Sequence, residues 1–268
     1  MTRQAYILPD HKLTIFWTPK AACTTIVHKI CLEILEISRE ELINEPGGMR
    51  GWLINNGYWH EGNKAASFTL ENNYQSIALI RDPYDRLISA YINKYVRNSS
   101  GPIGSFLELE VFAKNFYSEV LKLDKSNGNL VYEGITFAEF SIAVFEAIEN
   151  RSLAEPKLDS HWNTQIPFSF QNNNFEYDYL FELSNAAGFF SKLAEITRKD
   201  LKNEQLNATK YSTDGQKSLI NTKSKDLANL KNISKSHFMD SYLEERAREA
   251  FNIDYLYLEK NRTTMRRE

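Results

Sequence analysis

Residues 13–25 read Leu13-Thr14-Ile15-Phe16-Trp17-Thr18-Pro19-Lys20-Ala21-Ala22-Cys23-Thr24-Thr25. The apolar start of this stretch predicts a buried strand, and the apolar periodicity of residues 24–37 predicts an amphipathic helix. A loop between a strand and a helix suits an anion, because the first N–H groups of the helix are unpaired and lie at its positive end. The loop adds the ammonium of Lys20 and the hydroxyls of Thr24 and Thr25. This stretch therefore predicts a site for one phosphate group, with an incidental surface lysine as the alternative.

A second stretch of the same kind reads Ala78-Leu79-Ile80-Arg81-Asp82-Pro83-Tyr84-Asp85-Arg86-Leu87-Ile88-Ser89-Ala90-Tyr91. Residues 76–80 predict a buried strand, and Asp82-Pro83 predicts the start of a helix that extends to about residue 96. Arg81 directly follows the strand, where its guanidinium can bind a phosphate through two parallel hydrogen bonds. Ser89 can donate another hydrogen bond from the helix. The alternative is a structural Arg–Asp pair with a serine inside the helix.

The rest of the chain continues the alternation of strands and helices. A third strand is predicted at residues 177–183, and further helices are predicted at 105–123, 136–149, 185–197 and 241–251. This order predicts an α/β fold with three layers, in which helices flank a mostly parallel central sheet. Ligands of such folds bind at the carboxyl ends of the strands, where both quoted stretches lie.

The length of 268 residues fits a single domain. Within it we predict a helical insertion at about 97–150 and a lid at about 200–236, where lysine, asparagine, serine and threonine predominate. A solvated, charged surface is the alternative for residues 200–236. The net charge of −3 does not favour a nucleic-acid partner. No cluster of cysteine and histidine has the spacing of a zinc site, so no metal is predicted. The oligomeric state is not indicated.

The chain has no apolar run long enough to span a membrane and no apolar leader segment. Cys23 and Cys31 lie eight positions apart on one predicted helix, which separates them by roughly 12 Å, too far for a disulfide bond. These features favour a cytoplasmic location.

With both stretches in this order, the chain resembles the PAPS-dependent carbohydrate sulfotransferases of the chondroitin/HNK-1 type. The heparan 2-O-sulfotransferases are more distant relatives. Residues 19–25 resemble the 5′-phosphosulfate loop of that family, and residues 81–91 resemble its 3′-phosphate motif. A third block of that family is matched by residues 159–165, which read Asp159-Ser160-His161-Trp162-Asn163-Thr164-Gln165. The family usually has proline at the position of Thr164. The resemblance covers about residues 13–96 and 136–258.

The resemblance implies 3′-phosphoadenosine 5′-phosphosulfate (PAPS) as the sulfuryl donor, PAP as the product, and a fold like that of the P-loop nucleotide kinases. It implies that Arg81 and Ser89 bind the 3′-phosphate. It also implies that Lys20 stabilises the charge that develops on the leaving phosphate. The 5′-phosphate contacts of the family correspond to five residues of the first stretch: Lys20, Ala22, Cys23, Thr24 and Thr25.

Transfer to a hydroxyl group requires a general base, and His60, Glu61 and His161 are the candidates. His60 lies 21 residues before Arg81, a spacing similar to that of the catalytic histidine in the heparan 2-O-sulfotransferases. Glu61 could orient His60 or act as the base itself. His161 belongs to the third block, and a role in the fold or in acceptor binding is its alternative. The ordinary histidine pKa near 6.5 suits a base at neutral pH.

Aromatic residues beside these positions, Trp59 and Trp162, predict an acceptor platform together with His161, with ordinary packing as the alternative. We therefore predict transfer of a sulfuryl group from PAPS to a hydroxyl of a saccharide or glycoconjugate. The eukaryotic relatives have a membrane anchor, so the absence of one here favours a bacterial enzyme. The alternatives are a small alcohol or phenol as acceptor, a nucleotide-type kinase, and an inactive PAP-binding module. The first stretch lacks the glycines of an ATP-binding P-loop, which argues against the kinase.

Overall fold

The computed structural model describes residues 4–120, 132–150, 158–167, 169–170, 175–201 and 217–265. Part of the predicted lid, residues 202–216, lies outside them. The described residues form two compact units. Of the described residues, the first unit contains 4–82, 164–167, 169–170, 175–201 and 253–265, and the second contains 83–120, 132–150, 158–163 and 217–252.

Five strands and eleven α-helices of the described residues position the features discussed below. The strands are β1 (Gln4–Leu8), β2 (Leu13–Trp17), β3 (Trp59–Glu61), β4 (Gln75–Ile80) and β5 (Tyr179–Glu182). The helices are α1 (Cys23–Lys29), α2 (Arg39–Ile43), α3 (Gly48–Asn55), α4 (Gly62–Glu71), α5 (Pro83–Tyr91), α6 (Val111–Val120), α7 (Phe137–Glu149), α8 (Ala186–Thr197), α9 (Ser224–Leu227), α10 (Ser241–Ala250) and α11 (Asn252–Met265). A two-stranded hairpin joins Arg97–Asn98 to Gly101–Pro102.

The first unit contains a mixed five-stranded sheet in the order β3-β1-β2-β4-β5. Its core strands β2, β4 and β5 are parallel, which confirms the predicted α/β fold. β1 pairs antiparallel with both β2 and β3. The strands β1 and β3 were not predicted. β3 has only three residues, and two of them are polar, so it gives no apolar alternation to detect.

Helices cover both faces of this sheet. Leu13, Ile15 and Trp17 of β2 pack in one hydrophobic cluster with residues of α1, α3 and α8. The intervening side chains point to the other face, where Thr14 accepts a 2.8 Å hydrogen bond from Thr69 of α4. The alternation along a strand therefore produces the three predicted layers.

The helix after β2 is shorter than predicted. α1 ends at Lys29 and continues as a π-helical turn, Ile30–Ile34, so that the helical segment stops before residue 37. Glu36 then adopts a left-handed conformation with φ 55°, which turns the chain away from the helix. α5 likewise continues as a π-helical turn to Val96, the end that the sequence predicts.

The second unit is built around buried aromatic side chains of α5 and α7. α7 lies at the predicted position and begins with a capping box, because Glu139 N donates to Thr136 Oγ1 and Thr136 N donates to the Glu139 carboxylate. The single helix predicted at 105–123 is wrong at its start, since a 3₁₀ turn, Phe106–Glu108, precedes α6. Throughout the described ranges, no helix is long and apolar enough to cross a membrane.

Candidate functional site

The loop between β2 and α1 has an unusual backbone. Lys20 and Ala22 both have positive φ, 70° and 54°, a region that residues other than glycine seldom adopt. The turn is closed by Ala21 N, which donates to the Thr18 carbonyl at 3.3 Å. The fully buried side chain of Ala21 anchors it. Two left-handed residues within three positions therefore turn the chain sharply between β2 and α1.

The five predicted 5′-phosphate residues differ in exposure. Thr24 is exposed, and Lys20, Ala22 and Cys23 are partly exposed, whereas Thr25 is buried. Cys23 is the first residue of α1, so that its backbone N–H is among those with no partner inside the helix. The loop therefore presents an ammonium, a hydroxyl and helix-terminal N–H groups at the carboxyl end of β2.

Arg81 lies beside this loop. It follows β4, the parallel neighbour of β2, and its Nη1 donates to the Lys20 carbonyl at 3.4 Å. The structure therefore brings the first stretch and the start of the second stretch together at one edge of the sheet.

Two further polar residues take part in this arrangement. Gln165, the last residue of the third block, hydrogen-bonds to both Thr18 and Arg81, and Asp254 of α11 hydrogen-bonds to Gln165. Neither residue was predicted from the sequence to belong to the site. No local pattern could have found this contact, because the two residues lie 89 positions apart.

Arg50 of α3 is a third cation at the loop, after Lys20 and Arg81, and it was not predicted from the sequence. Its Nη2 lies 3.0 Å from Cys23 Sγ, and its guanidinium lies over the Trp17 ring at 5.2 Å from the centroid. Trp17 in turn stacks on Tyr6 of β1 at 5.6 Å. The exposed Arg50 therefore adds positive charge beside the first residue of α1.

A family model described as the sulfotransferase family matches residues 3–260, which include all three quoted blocks. The chain belongs to the sulfotransferase family. No curated protein matches it, and no solved structure does. Enzymes of this family transfer a sulfuryl group and generally use PAPS as the donor. Among the described residues, no group of three or more histidine, cysteine, aspartate or glutamate side chains could hold a metal ion.

Two of the base candidates of this sulfotransferase lie in the outer strand β3. His60 pairs with Ala5 of β1, so its backbone is two strands, roughly 10 Å, from β2. Glu61 is partly exposed, and its carboxylate lies 3.6 Å from the Lys64 ammonium. Trp59, predicted to contact the acceptor, is half-buried and packs against the hydrophobic cluster of the first unit.

The third base candidate, His161, lies in the second unit and is paired with a carboxylate. Its Nδ1 is 2.5 Å from Asp159 Oδ1, and its ring stacks on Phe112 at 5.1 Å. Burial raises the pKa of Asp159, but hydrogen bonds from the ring and backbone N–H of His161 outweigh burial and hold that pKa below its ordinary value. Arg86 fixes this turn by donating to the carbonyls of Ser160 and Asn163.

Two other predicted residues of the second unit differ in exposure. Trp162 is 1% exposed and packs among aromatic rings of the unit, an environment typical of a core residue. Its contact with an acceptor stays a prediction. Ser89 lies on α5 and is partly exposed.

Proposed function

We propose that this sulfotransferase takes a sulfuryl group from PAPS and transfers it to a hydroxyl group of a saccharide or glycoconjugate. The observation that supports the donor best is the hydrogen bond from Arg81 to the Lys20 carbonyl. PAPS carries anionic groups at both its 3′ and 5′ positions, so its recognition requires two cationic sites close together. Lys20 and Arg81 supply two such cations from neighbouring strand ends.

The residues of the loop fit a single phosphate group. Its left-handed positions, Lys20 and Ala22, turn the chain tightly without the glycines that wrap a triphosphate. In this proposal the 5′-phosphate contacts come from Lys20, Ala22, Cys23, Thr24 and Thr25. Arg81 binds the 3′-phosphate, and the resemblance adds Ser89 to that contact.

The chemistry assigned to the protein is mainly electrostatic. When bound, PAPS supplies an activated sulfuryl group whose leaving group is a phosphate. The Lys20 ammonium stabilises the negative charge that develops on the leaving oxygen, in the way that fixed donors stabilise phosphoryl transfer.

The proton of the acceptor hydroxyl passes to a general base. We favour His161 over His60 and Glu61, because the Asp159 carboxylate holds its Nδ1 and would stabilise the imidazolium. Nε2 is then the ring atom that takes the proton.

Thermal unfolding with PAP tests the donor site. PAP at a hundredfold excess over its Kd stabilises the folded state by about 2.7 kcal/mol, so the melting temperature of the wild-type protein should rise. Arg81→Ala should abolish this rise, because the 3′-phosphate loses its guanidinium. Arg39→Ala, which removes an exposed arginine of α2, is the matched control and should keep the rise. An undiminished rise in Arg81→Ala would remove Arg81 from the site, and stabilisation by ATP instead of PAP would favour a nucleotide kinase.

A transfer assay with sulfur-labelled PAPS tests the acceptor class. We expect label in unsulfated glycosaminoglycan chains or oligosaccharides, because the motifs resemble those of carbohydrate sulfotransferases. Labelling of a simple phenol alone would replace the saccharide by a small-molecule acceptor. PAP binding without transfer to either class would indicate an inactive binding module.

A further inference from the structure

The amide of Gln165 connects the ends of two neighbouring strands. Its Oε1 accepts hydrogen bonds from Thr18 Oγ1 at 3.2 Å and from the Arg81 backbone N–H at 2.9 Å. Its Nε2 donates to the Arg81 carbonyl at 2.6 Å. Thr18 begins the Lys20 loop, and Arg81 directly follows β4. One side chain, only 1% exposed, therefore bonds to both phosphate-binding segments.

This link begins where the sheet ends. The last backbone pair between β2 and β4 is Trp17 with Leu79, so the ladder does not hold the residues that follow. Gln165 bonds to Thr18 and Arg81 just beyond that pair. The Arg81 guanidinium also donates to the Lys20 carbonyl, so a ring of hydrogen bonds joins the Lys20 loop to the residue after β4.

Asp254 fixes Gln165 in turn. Its carboxylate is fully buried and accepts hydrogen bonds from Gln165 N at 2.8 and 2.7 Å and from Ile166 N at 2.8 Å. Its Oδ2 also lies 3.4 Å from Gln165 Nε2. A buried carboxylate is unfavourable unless hydrogen bonds compensate its lost hydration, so these donors confine it to one position.

From this ring of hydrogen bonds we infer that Gln165, held by Asp254, sets the spacing between the 5′- and 3′-phosphate positions. Gln165 thereby selects a nucleotide that carries both phosphates. This inference rests on the proposed use of PAPS. Gln165 is a positioning residue, since its bonds go to Thr18 and Arg81. An amide meets the requirement without a change of protonation, because its oxygen accepts from two donors while its nitrogen donates to a carbonyl. An ionised carboxylate has no donor for that carbonyl. Glutamate would lose the donor and place a second carboxylate beside Asp254.

Three nucleotides separate positioning from simple stabilisation: PAP with two phosphate positions, AMP with the 5′-phosphate alone, and adenosine 3′-phosphate with the other alone. Calorimetry should be used to compare the affinities of these nucleotides for the wild-type protein and for the variants Gln165→Met and Gln165→Glu. Loss of the bridging bonds should weaken PAP binding about tenfold or more, the equivalent of one to two hydrogen bonds. Binding of each single-phosphate nucleotide should change much less, because each half of the site survives.

Thr18→Val provides a milder test if the Gln165 variants do not fold, since it removes one donor to Oε1 and nearly preserves the shape. Its matched control is Thr197→Val, which removes a buried hydroxyl that donates to the Leu193 carbonyl in α8. Equal weakening of all three nucleotides, or unchanged PAP affinity, would overturn the positioning role. Failure of the wild-type protein to bind PAP would overturn the proposed donor and this inference together. If the wild-type protein binds PAP but the variants give either of the two results just named, only the inference is overturned.

Discussion

Lys20→Ala should lower turnover by about 10²–10³-fold, the usual effect of removing one group that stabilises developing negative charge. The charge on the leaving phosphate oxygen increases as the sulfuryl group departs, so the ammonium contributes more in the transition state than in the ground state. We therefore expect a larger loss in kcat than in PAP affinity. Steady-state kinetics with labelled PAPS and calorimetry with PAP measure the two quantities separately.

Backbone strain requires its own control, because Lys20 has φ 70°. Lys12, in the turn between β1 and β2, is an exposed lysine that also has positive φ, 46°. Lys12→Ala repeats the same change in the same backbone region and should leave turnover unaltered. Lys20→Arg keeps the charge and should retain part of the activity. Near-normal turnover of Lys20→Ala would show that this ammonium does not stabilise the leaving group.

The central strands and the helices after them could be predicted because their signals are local. β2 and β4 are short apolar runs, α5 begins at Pro83, and α7 begins with the Thr136 capping box. The first unit also contains β1, which a 3₁₀ turn at Pro9–His11 joins to β2 as a hairpin. Its existence depends on pairing with β2 and β3, which no periodicity within Gln4–Leu8 reveals.

The candidate site divides in the same way. Lys20 and Arg81 could be predicted because each belongs to a contiguous motif, and the structure places them in contact. Arg50 and Asp254 could not be predicted, because their roles depend on tertiary contacts with Cys23 and Gln165. A lone arginine or aspartate on a helix usually faces solvent, so its sequence position gives no indication of such a contact.

His161→Ala should lower turnover by about 10²–10⁴-fold while leaving PAP affinity intact, as loss of a general base does. The ring pairs with Asp159, whose lowered pKa keeps its carboxylate ionised at neutral pH. His11→Ala, at a partly exposed histidine of the first unit, is the matched control and should be neutral. If His60→Ala gives the large loss instead, the base lies in β3, and Glu61→Gln then tests whether Glu61 orients it.

The pH dependence separates a base from a packing residue. A base must be unprotonated, so kcat/KM should fall on the acid side as the imidazole takes a proton. The Asp159 carboxylate favours the charged imidazolium, so Asp159→Asn should move the acid limb to lower pH. The same variant should reduce the maximal rate, because the imidazolium formed during transfer loses its stabilising charge. If His161 only stacks on Phe112, it takes no proton from the acceptor hydroxyl. Asp159→Asn would then leave the acid limb of the pH profile at the same pH.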